Sequence, residues 1–563
     1  MSDVTVQMRA QDPGWVMLRL SVATLLLFLV LIQPNHPQAM TWGALRLFPL
    51  ELPVILAGLV ALGPGWAGRV GRGLLVVALV ALVVIKLADF VTFIAFNRGF
   101  NLVTDYNLVP AAFGLAQGSL GPVLVWIALI TVPVMLLILA VALWWATGVW
   151  SHLTSDVPLR LPAGTRLRRG AGLLVIPLAA VAVVEIGKAR GAWSVPAPVA
   201  EWIPGAAFTA RVGVERVAQV RDTRADLAHF RAAAESDPMS RASPLFDLLG
   251  DRDLILVYVE SYGRSSFDNP LYRPTHVGTL REIEADLAAR GLAMRSGWSR
   301  APMVGGQSWL AHGSVASGMW LDTQGRYRAL LSSTRRTLLH YAQEHGLRTV
   351  AVKPAHVLPW PEGDYFGFDA IYNAADLGYQ GEPFNWVTMP DQFTMTALDR
   401  LERGAAQGTR TPILAQVALV SSHAPWTPIP PLIDWDEVGD GSIFSQWANE
   451  GDPPEVVWRD HDRVRDQFRQ AVDYSLQVIG SWAARHAEDP PLLIMLGDHE
   501  PAGFVAGVPG ADVPIHVIGP EDLVARFADL GWSEGMVPDP DLAVIPMDAL
   551  RDTLLRALGS GAP

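Results

Sequence analysis

Five long apolar segments crowd the first 190 residues, at about 15–33, 45–62, 74–96, 120–147 and 171–186. Each is roughly 17–25 residues long, the length a helix needs to cross the hydrocarbon of a bilayer. In lipid every backbone polar group must be satisfied internally, and a run of separate apolar segments does so as helices. The sequence therefore predicts a transmembrane anchor of five helices over residues 1–188. The first segment lacks a small-residue cleavage site and reads as an anchor, not a removable leader. These segments account for a hydrophobic fraction of 50% beside a charged fraction of only 17%.

Five crossings put the two ends of the chain on opposite sides, and the positive-inside rule says which is which. Arg69 and Arg72 follow the second segment, while Arg160, Arg166, Arg168 and Arg169 follow the fourth. Those two loops share the side of the N-terminus, and the alternate loops are poor in basic residues, Arg98 being the clearest exception. The N-terminus is expected to be cytoplasmic and everything after about residue 188 outside. Within the third segment, Lys86 and Asp89 stand at i,i+3 on one helix face. There they neutralise one another as a structural pair or meet a lipid headgroup. Residues 189–250 read as a linker, Pro-rich at its start, with an amphipathic helix over 211–234.

From Asp253 the pattern changes to strands alternating with helices. Strand-like runs are Leu254–Val259, 348–352, Ile413–Leu419, 492–496 and 513–518, with helical stretches at 275–290, 334–344 and 462–487. A repeated strand-then-helix order predicts an α/β domain over 251–563, with a mostly parallel sheet flanked by helices. The net charge of −12 and the lack of a basic aromatic patch exclude nucleic acid as a partner. With no cysteine in the chain, disulfides and thiolate sites are excluded as well.

Open α/β sheets place their chemistry at the carboxyl ends of strands. The first run, DLILVYV, stops at Glu260; the third is followed by His423 in LVSSHAPW; the fourth ends in Asp498 and His499 in LLIMLGDHEP. All are expected to converge on one edge of the sheet. Separately, GGQSWLAHGSVASG reads as a Gly-rich loop feeding a helix, with Ser308 near the helix start. A helix N-terminus offers free N–H groups and a positive dipole end that suit a phosphate. His312 comes one helical turn later, turned either toward the site or into the packing. Two carboxylates, one imidazole and a serine oxygen make a divalent-metal set suited to Mn²⁺ or Mg²⁺, with Zn²⁺ also compatible. The Pro-, Trp- and acid-rich insertion after His423 carries Trp426, Trp435 and Trp447. A loop this long is either a functional lid that stacks sugar rings on its tryptophans or a structural flap.

The order of strand–Glu, Gly-rich loop with Ser, strand–His and strand–Asp-His resembles the alkaline phosphatase superfamily. More narrowly it resembles the sulfatase-like, membrane-bound phosphoglycerol and phosphoethanolamine transferases of the lipoteichoic acid synthase type. The resemblance implies that Glu260, Ser308, Asp498 and His499 hold one divalent metal, most often manganese. It implies that Ser308 is the covalent nucleophile, at a position where Thr is commoner. His423 and Trp360 match residues that contact the transferred group, whereas Glu362 stands where these synthases carry an Arg.

The function so implied is transfer of phosphoglycerol from a phospholipid donor, phosphatidylglycerol, to a glycan acceptor outside the cytoplasm. The enzyme would be a multi-pass protein of the inner (plasma) membrane with its catalytic domain in the periplasm or extracytoplasmic space. Alternatives are phosphoethanolamine transfer to lipid A or a glycan, a sulfatase-like hydrolase, and a non-catalytic lipid sensor. A sulfatase that matures to formylglycine needs C/S-x-P-x-R, and Ser308 is followed by Trp309, Leu310, Ala311 and His312 instead.

Overall fold

The computed structural model describes residues 13–96, 98–108, 113, 122–156, 161–194, 205–404 and 409–562. Leu120, Arg160 and the stretch 195–204 lie outside them. The chain divides into two compact units, with the change-over between Arg224 and Ala225 inside helix Phe208–Ala234.

The first unit is helical. Four of its helices, Pro13–Ile32, Trp66–Ile94, Val123–Ser151 and Gly164–Ala189, are long and apolar enough to cross a membrane. Their outward side chains, such as Ile130, Leu137 and Leu173, are largely uncovered within the protein, as expected of a surface whose solvent is lipid. The chain is a membrane protein.

Four such helices are described, where the sequence led us to expect five. The second apolar segment forms helix Glu51–Leu62, of 12 residues. At about 1.5 Å per residue it reaches about 18 Å, short of the roughly 30 Å of a bilayer core. Apolar composition continues upstream of Glu51, but Pro49 and Pro53 flank its start and the chain before it forms only a short turn at Ala44–Arg46. Arg168 donates to the carbonyls of Ala61 and Leu62, tying the end of this short helix to the start of helix Leu161–Ala189.

Lys86 and Asp89 do not neutralise one another. Lys86 donates to Thr209 Oγ1 at 2.7 Å and to the Leu31 carbonyl. Asp89 pairs with Arg216 and accepts from Asn35 and the Phe100 amide. Glu51 and Glu185 accept from the amides of Ala210 and Ala207, at the first turn of helix Phe208–Ala234. Carboxylates at a helix N-terminus complement its dipole and its unpaired N–H groups. The buried charges of the apolar segments thus fasten the linker helix to the bundle.

The second unit holds a nine-stranded sheet. Its strands are β1 (Leu254–Val259), β2 (Ala293–Arg300), β3 (Arg348–Lys353), β4 (Ala370–Asn373), β5 (Ile413–Leu419), β6 (Leu492–Gly497), β7 (Asp512–Gly519), β8 (Ser533–Glu534) and β9 (Val544–Pro546). The order is β4-β3-β5-β1-β6-β7-β2-β8, with β9 also on β2. The sheet is mixed rather than mostly parallel. One half, β4-β3-β5-β1-β6, is parallel, but β7 runs antiparallel to both β6 and β2, and β8 antiparallel to β2. A parallel return to a neighbouring strand needs a crossover, usually a full helix. Between β6 and β7 the described helix is only the single turn Gly503–Ala506, so the chain comes back in the opposite direction.

Strand β1 lies at the centre and is buried on both faces. Ile255, Val257 and Val259 point into one apolar core, Leu254, Leu256 and Tyr258 into the other. That two-faced burial is why the strand reads as an unbroken apolar run. Because β1, β3, β5 and β6 are parallel and in register, with Val259 opposite both Leu419 and Gly497, their carboxyl ends meet at one edge.

At the opposite end of β1, Asp253 is fully buried and accepts from Arg403 at 2.9 Å, from Arg410, and from the Ile413 amide at 3.0 Å. Burial alone would raise this carboxyl, yet the two guanidiniums and the amide hold it below its usual value. Replacing one member of a buried ion network leaves the others uncompensated. Asp253→Ala is expected to cost about 3 kcal/mol or more. Thermal unfolding of the full chain in detergent checks it, as a midpoint lowered by several degrees.

Candidate active site

The edge formed by the parallel strands brings four of the sequence-selected residues into contact. Glu260 follows β1, Asp498 and His499 follow β6, and Ser308 is the first residue of helix Ser308–Ser317. Ser308 Oγ donates to Glu260 Oε2 at 2.8 Å and lies 3.2 Å from His499 Nε2. His499 Nε2 is in turn 3.2 Å from Glu260 Oε1 and 3.9 Å from Asp498 Oδ1.

The backbone is shaped to allow this. The chain turns through left-handed residues at Ser261 (φ 60°) and Gln307 (φ 68°), the latter just ahead of Ser308. Such conformations in non-Gly residues are sparsely populated and gather at functional sites. The Ser261 amide donates to Asp498 Oδ1 at 2.8 Å, so the turn after β1 orients the carboxylate after β6. Gly497 is required between them, because a Cβ there would sit 1.7 Å from the Tyr262 carbonyl.

Glu260, Asp498 and His499 are all buried, with one potential ligand atom from each within 4.8 Å of the others. Burial alone would raise Glu260, but the charge on His499 holds its carboxylate well below the ordinary range. Burial and the neighbouring Glu260 push Asp498 up. His499, which burial alone would lower, is raised by the two carboxylates around it. His499 Nδ1 donates to the Glu500 carbonyl at 2.8 Å, which leaves Nε2 facing the carboxylates. A backbone partner of this kind commonly fixes a metal-binding imidazole. The donor set therefore fits a divalent cation, with Glu260, Ser308, Asp498 and His499 as the residues able to hold it.

A cavity of about 420 Å³ opens beside Ser308 and Glu260, and His312, Trp360 and His423 also line it. His423 stacks on Trp386, with ring centroids 4.1 Å apart, and donates Nδ1–H to the Ala424 carbonyl at 2.6 Å. Buried Asp391 holds the strap that carries it, accepting from the amides of Val420 and Ser421 and from Ser475. Trp360 packs on Phe366 and lies edge-on to His356. His312 packs against Tyr258, ring centroids 4.0 Å apart.

Sequence reasoning missed several lining residues, among them Lys353, His356, Trp386 and Gln416. Lys353 is the last residue of β3. The strand-end rule that selected Glu260 applies equally to it, so the signal was present. The tryptophans of the insertion after His423 pack onto the domain. Trp426 is buried and stacks on Trp458, while Trp435 donates to Ser481.

Residues 252–512 match the Sulfatase family model. No curated protein matches the chain. Among solved structures, the lipoteichoic acid synthase LtaP from Listeria monocytogenes is 14% identical, covering 59% of this chain and 78% of that one, with a TM-score of 0.35. The Streptococcus pyogenes phosphoglycerol transferase GacH is 12% identical, covering 59% and 80%, with a TM-score of 0.37. The C-terminal periplasmic domain of EcEptC from Escherichia coli is 15% identical, covering 55% and 82%, with a TM-score of 0.33. Residues 252–512, just under half of the chain, thus carry a similarity to the sulfatase family.

Proposed function

We propose that the protein transfers a phosphoglycerol group from phosphatidylglycerol, through a covalent Ser308 intermediate, to a glycan hydroxyl outside the cytoplasm. The observation that carries this reading is Ser308 itself. It is a hydroxyl at a helix start, in contact with a buried carboxylate and imidazole, in the lining of a cavity. A divalent ion held by Glu260, Ser308, Asp498 and His499, manganese by preference, would polarise a phosphoryl oxygen and favour the alkoxide of Ser308.

In the first step Ser308 Oγ bonds to phosphorus and the bond from phosphorus to the diacylglycerol oxygen breaks. The departing diacylglycerol takes up a proton. In the second step an acceptor hydroxyl attacks the phosphoseryl group, gives up its proton and restores Ser308. His423 suits that proton, since its Nδ1–H is committed to Ala424 and Nε2 is the ring's other basic site. Trp360 and Trp386 offer apolar walls to the glycerol carbons.

The basic helix ends support an orientation with the N-terminus on the cytoplasmic side. Arg72 donates to the Trp144 carbonyl and Arg168 to those of Ala61 and Leu62. These contacts draw the basic starts of two long helices and the ends of two others to one face of the bundle. With that face cytoplasmic, helix Leu161–Ala189 ends on the outer face. A donor lipid would present its phosphate there.

Incubating the purified full chain and Mn²⁺ with mixed phospholipids, followed by peptide mass spectrometry, tests the proposal. A phosphoglycerol adduct on Ser308 is expected. A phosphoethanolamine adduct would change the headgroup, and an unmodified Ser308 in a turning-over enzyme would remove the covalent mechanism.

A further inference from the structure

Apolar side chains are unfavourable in water, and a gathering of them marks a surface that something covers. In the second unit the exposed large apolar side chains are not scattered. Among its described residues, Leu271, Trp309, Val357, Leu358, Trp386 and Trp458 stand exposed, with Leu401 the seventh. Chain direction places the first six at one edge of the sheet. Val357 and Leu358 follow the end of β3, and Trp386 follows β4 ahead of helix Asp391–Leu398, which returns toward the start of β5. Leu271 and Trp458 stand just before helices Arg273–Ala289 and His461–Arg485, which return toward the starts of β2 and β6. β2 runs antiparallel to β7, and β7 to β6, so Trp309, beyond the end of β2, belongs to the same edge. That edge is the one where Glu260, Asp498 and His499 meet. Leu401 alone lies at the opposite edge, on the return to β5.

The connection after β3 projects furthest. Between Lys353 and Glu362 it reads PAHVLPWP, without an acidic residue, lysine or arginine. Its base is held: Thr388 Oγ1 donates to the Pro354 carbonyl at 2.7 Å, and the His356 carbonyl accepts from the Ala374 amide at 3.0 Å. Its tip is not. Val357 is 71% exposed and Leu358 74%, the highest values among the large apolar side chains of this unit. His356 and Trp360 of the same connection line the cavity, and so do Trp309 and Trp386. The Trp309 indole is fixed by donating to Gln324 at 3.0 Å, and Trp386 by its stack on His423. An aliphatic tip beside anchored, half-exposed tryptophans is the layering of a surface that enters a bilayer, where tryptophan favours the interface.

We infer that this edge docks on a lipid surface, with Val357 and Leu358 in the acyl layer and Trp309 and Trp386 at headgroup level around the cavity. Two observations choose lipid as the occupant. The chain is a membrane protein, committed to a bilayer by its apolar helices. The projecting tip is aliphatic and uncharged, with tryptophans beside it. Docking of this kind lets a phospholipid headgroup enter the cavity while its acyl chains stay in the apolar layer, which avoids drawing them into water. It holds whatever group Ser308 transfers.

The chain lacks cysteine, so Leu358→Cys gives the full chain a single thiol for a nitrobenzoxadiazole label. The labelled protein is reconstituted into vesicles of phosphatidylcholine and phosphatidylglycerol, with and without lipid spin-labelled near the carbonyl end of its acyl chains. Emission from position 358 is expected to fall at least about twofold with the spin-labelled lipid, and to resist iodide supplied on both sides of the membrane. A label at Leu401→Cys, on the opposite edge, is expected to ignore the lipid and yield to iodide. Should Leu358→Cys not fold, Val357→Cys carries the same expectation one residue away. Equal quenching by lipid at the two edges overturns the inference, as does free access of iodide to position 358. Shielding from iodide without quenching by lipid also overturns it, and assigns the face to a second copy of the chain or another protein. Turnover is not read, so none of these results bears on Ser308, and a failed Ser308 adduct leaves the docking face standing.

Discussion

Ser308→Ala is expected to lower turnover by at least about a thousandfold and to abolish the covalent adduct. The alanine keeps the helix start and the glycine loop, but it removes the atom that donates to Glu260 and approaches His499. Divalent-metal binding should survive in weakened form, because Glu260, Asp498 and His499 still cluster without it. Ser308→Thr separates nucleophilicity from mere polarity. It restores a hydroxyl on the same backbone position and is expected to recover both adduct and turnover to a large part. Product release from phosphatidylglycerol, followed by chromatography of diacylglycerol, measures both variants. Full turnover in Ser308→Ala would remove Ser308 from the chemistry, whereas loss in both variants with metal binding intact would point to a steric limit at the helix start.

Much of this site was legible because its residues end apolar strands. β1 and β5 begin and end where their Val, Leu and Ile runs do, since both are buried on two faces and carry almost no polar residue. Glu260, His423, Asp498 and His499 could be picked out as the polar residues that stop such runs. Strand direction was not legible, because an apolar run reads the same in a parallel or an antiparallel pairing. The short connection after β6 was the only hint that β7 turns back.

β2 escaped notice for a different reason. Its sequence AMRSGWSR looks like a surface segment, yet Ser296 and Ser299 are buried and satisfied by Gly535 and Ile545 carbonyls. Those partners lie more than two hundred residues away in the chain, where no local pattern can announce them. The same holds for Lys86 and Asp89. Their i,i+3 spacing suggested a pair, but Thr209 and Arg216 on a later helix compete for them and win. Lys353 was overlooked because a lone lysine after a strand most often reaches solvent, and only the tertiary fold shows it enclosed.

Metal affinity is expected to climb steeply with pH. Without metal, Asp498 is pushed up by burial and by the Glu260 charge, and His499 is raised by the carboxylates on both sides of it. Both groups therefore keep protons through neutral pH that a bound cation would have to displace. The sign follows directly: a group whose pKa is raised in the metal-free site holds its proton until pH exceeds that raised value, so protons compete most strongly at low pH. Each proton released makes affinity rise about tenfold per pH unit. With one to two protons displaced, the Mn²⁺ dissociation constant should fall between about tenfold and a hundredfold per unit from pH 6 to 8. Titration calorimetry in buffers of different ionisation enthalpy counts the protons directly. Asp498→Asn removes one proton and one charge together, so it should both weaken binding at pH 8 and flatten the slope by about one. A pH-independent affinity in the unaltered protein would mean that the acids and His499 do not form the cation site, and the cluster would then be only a buried proton-sharing network.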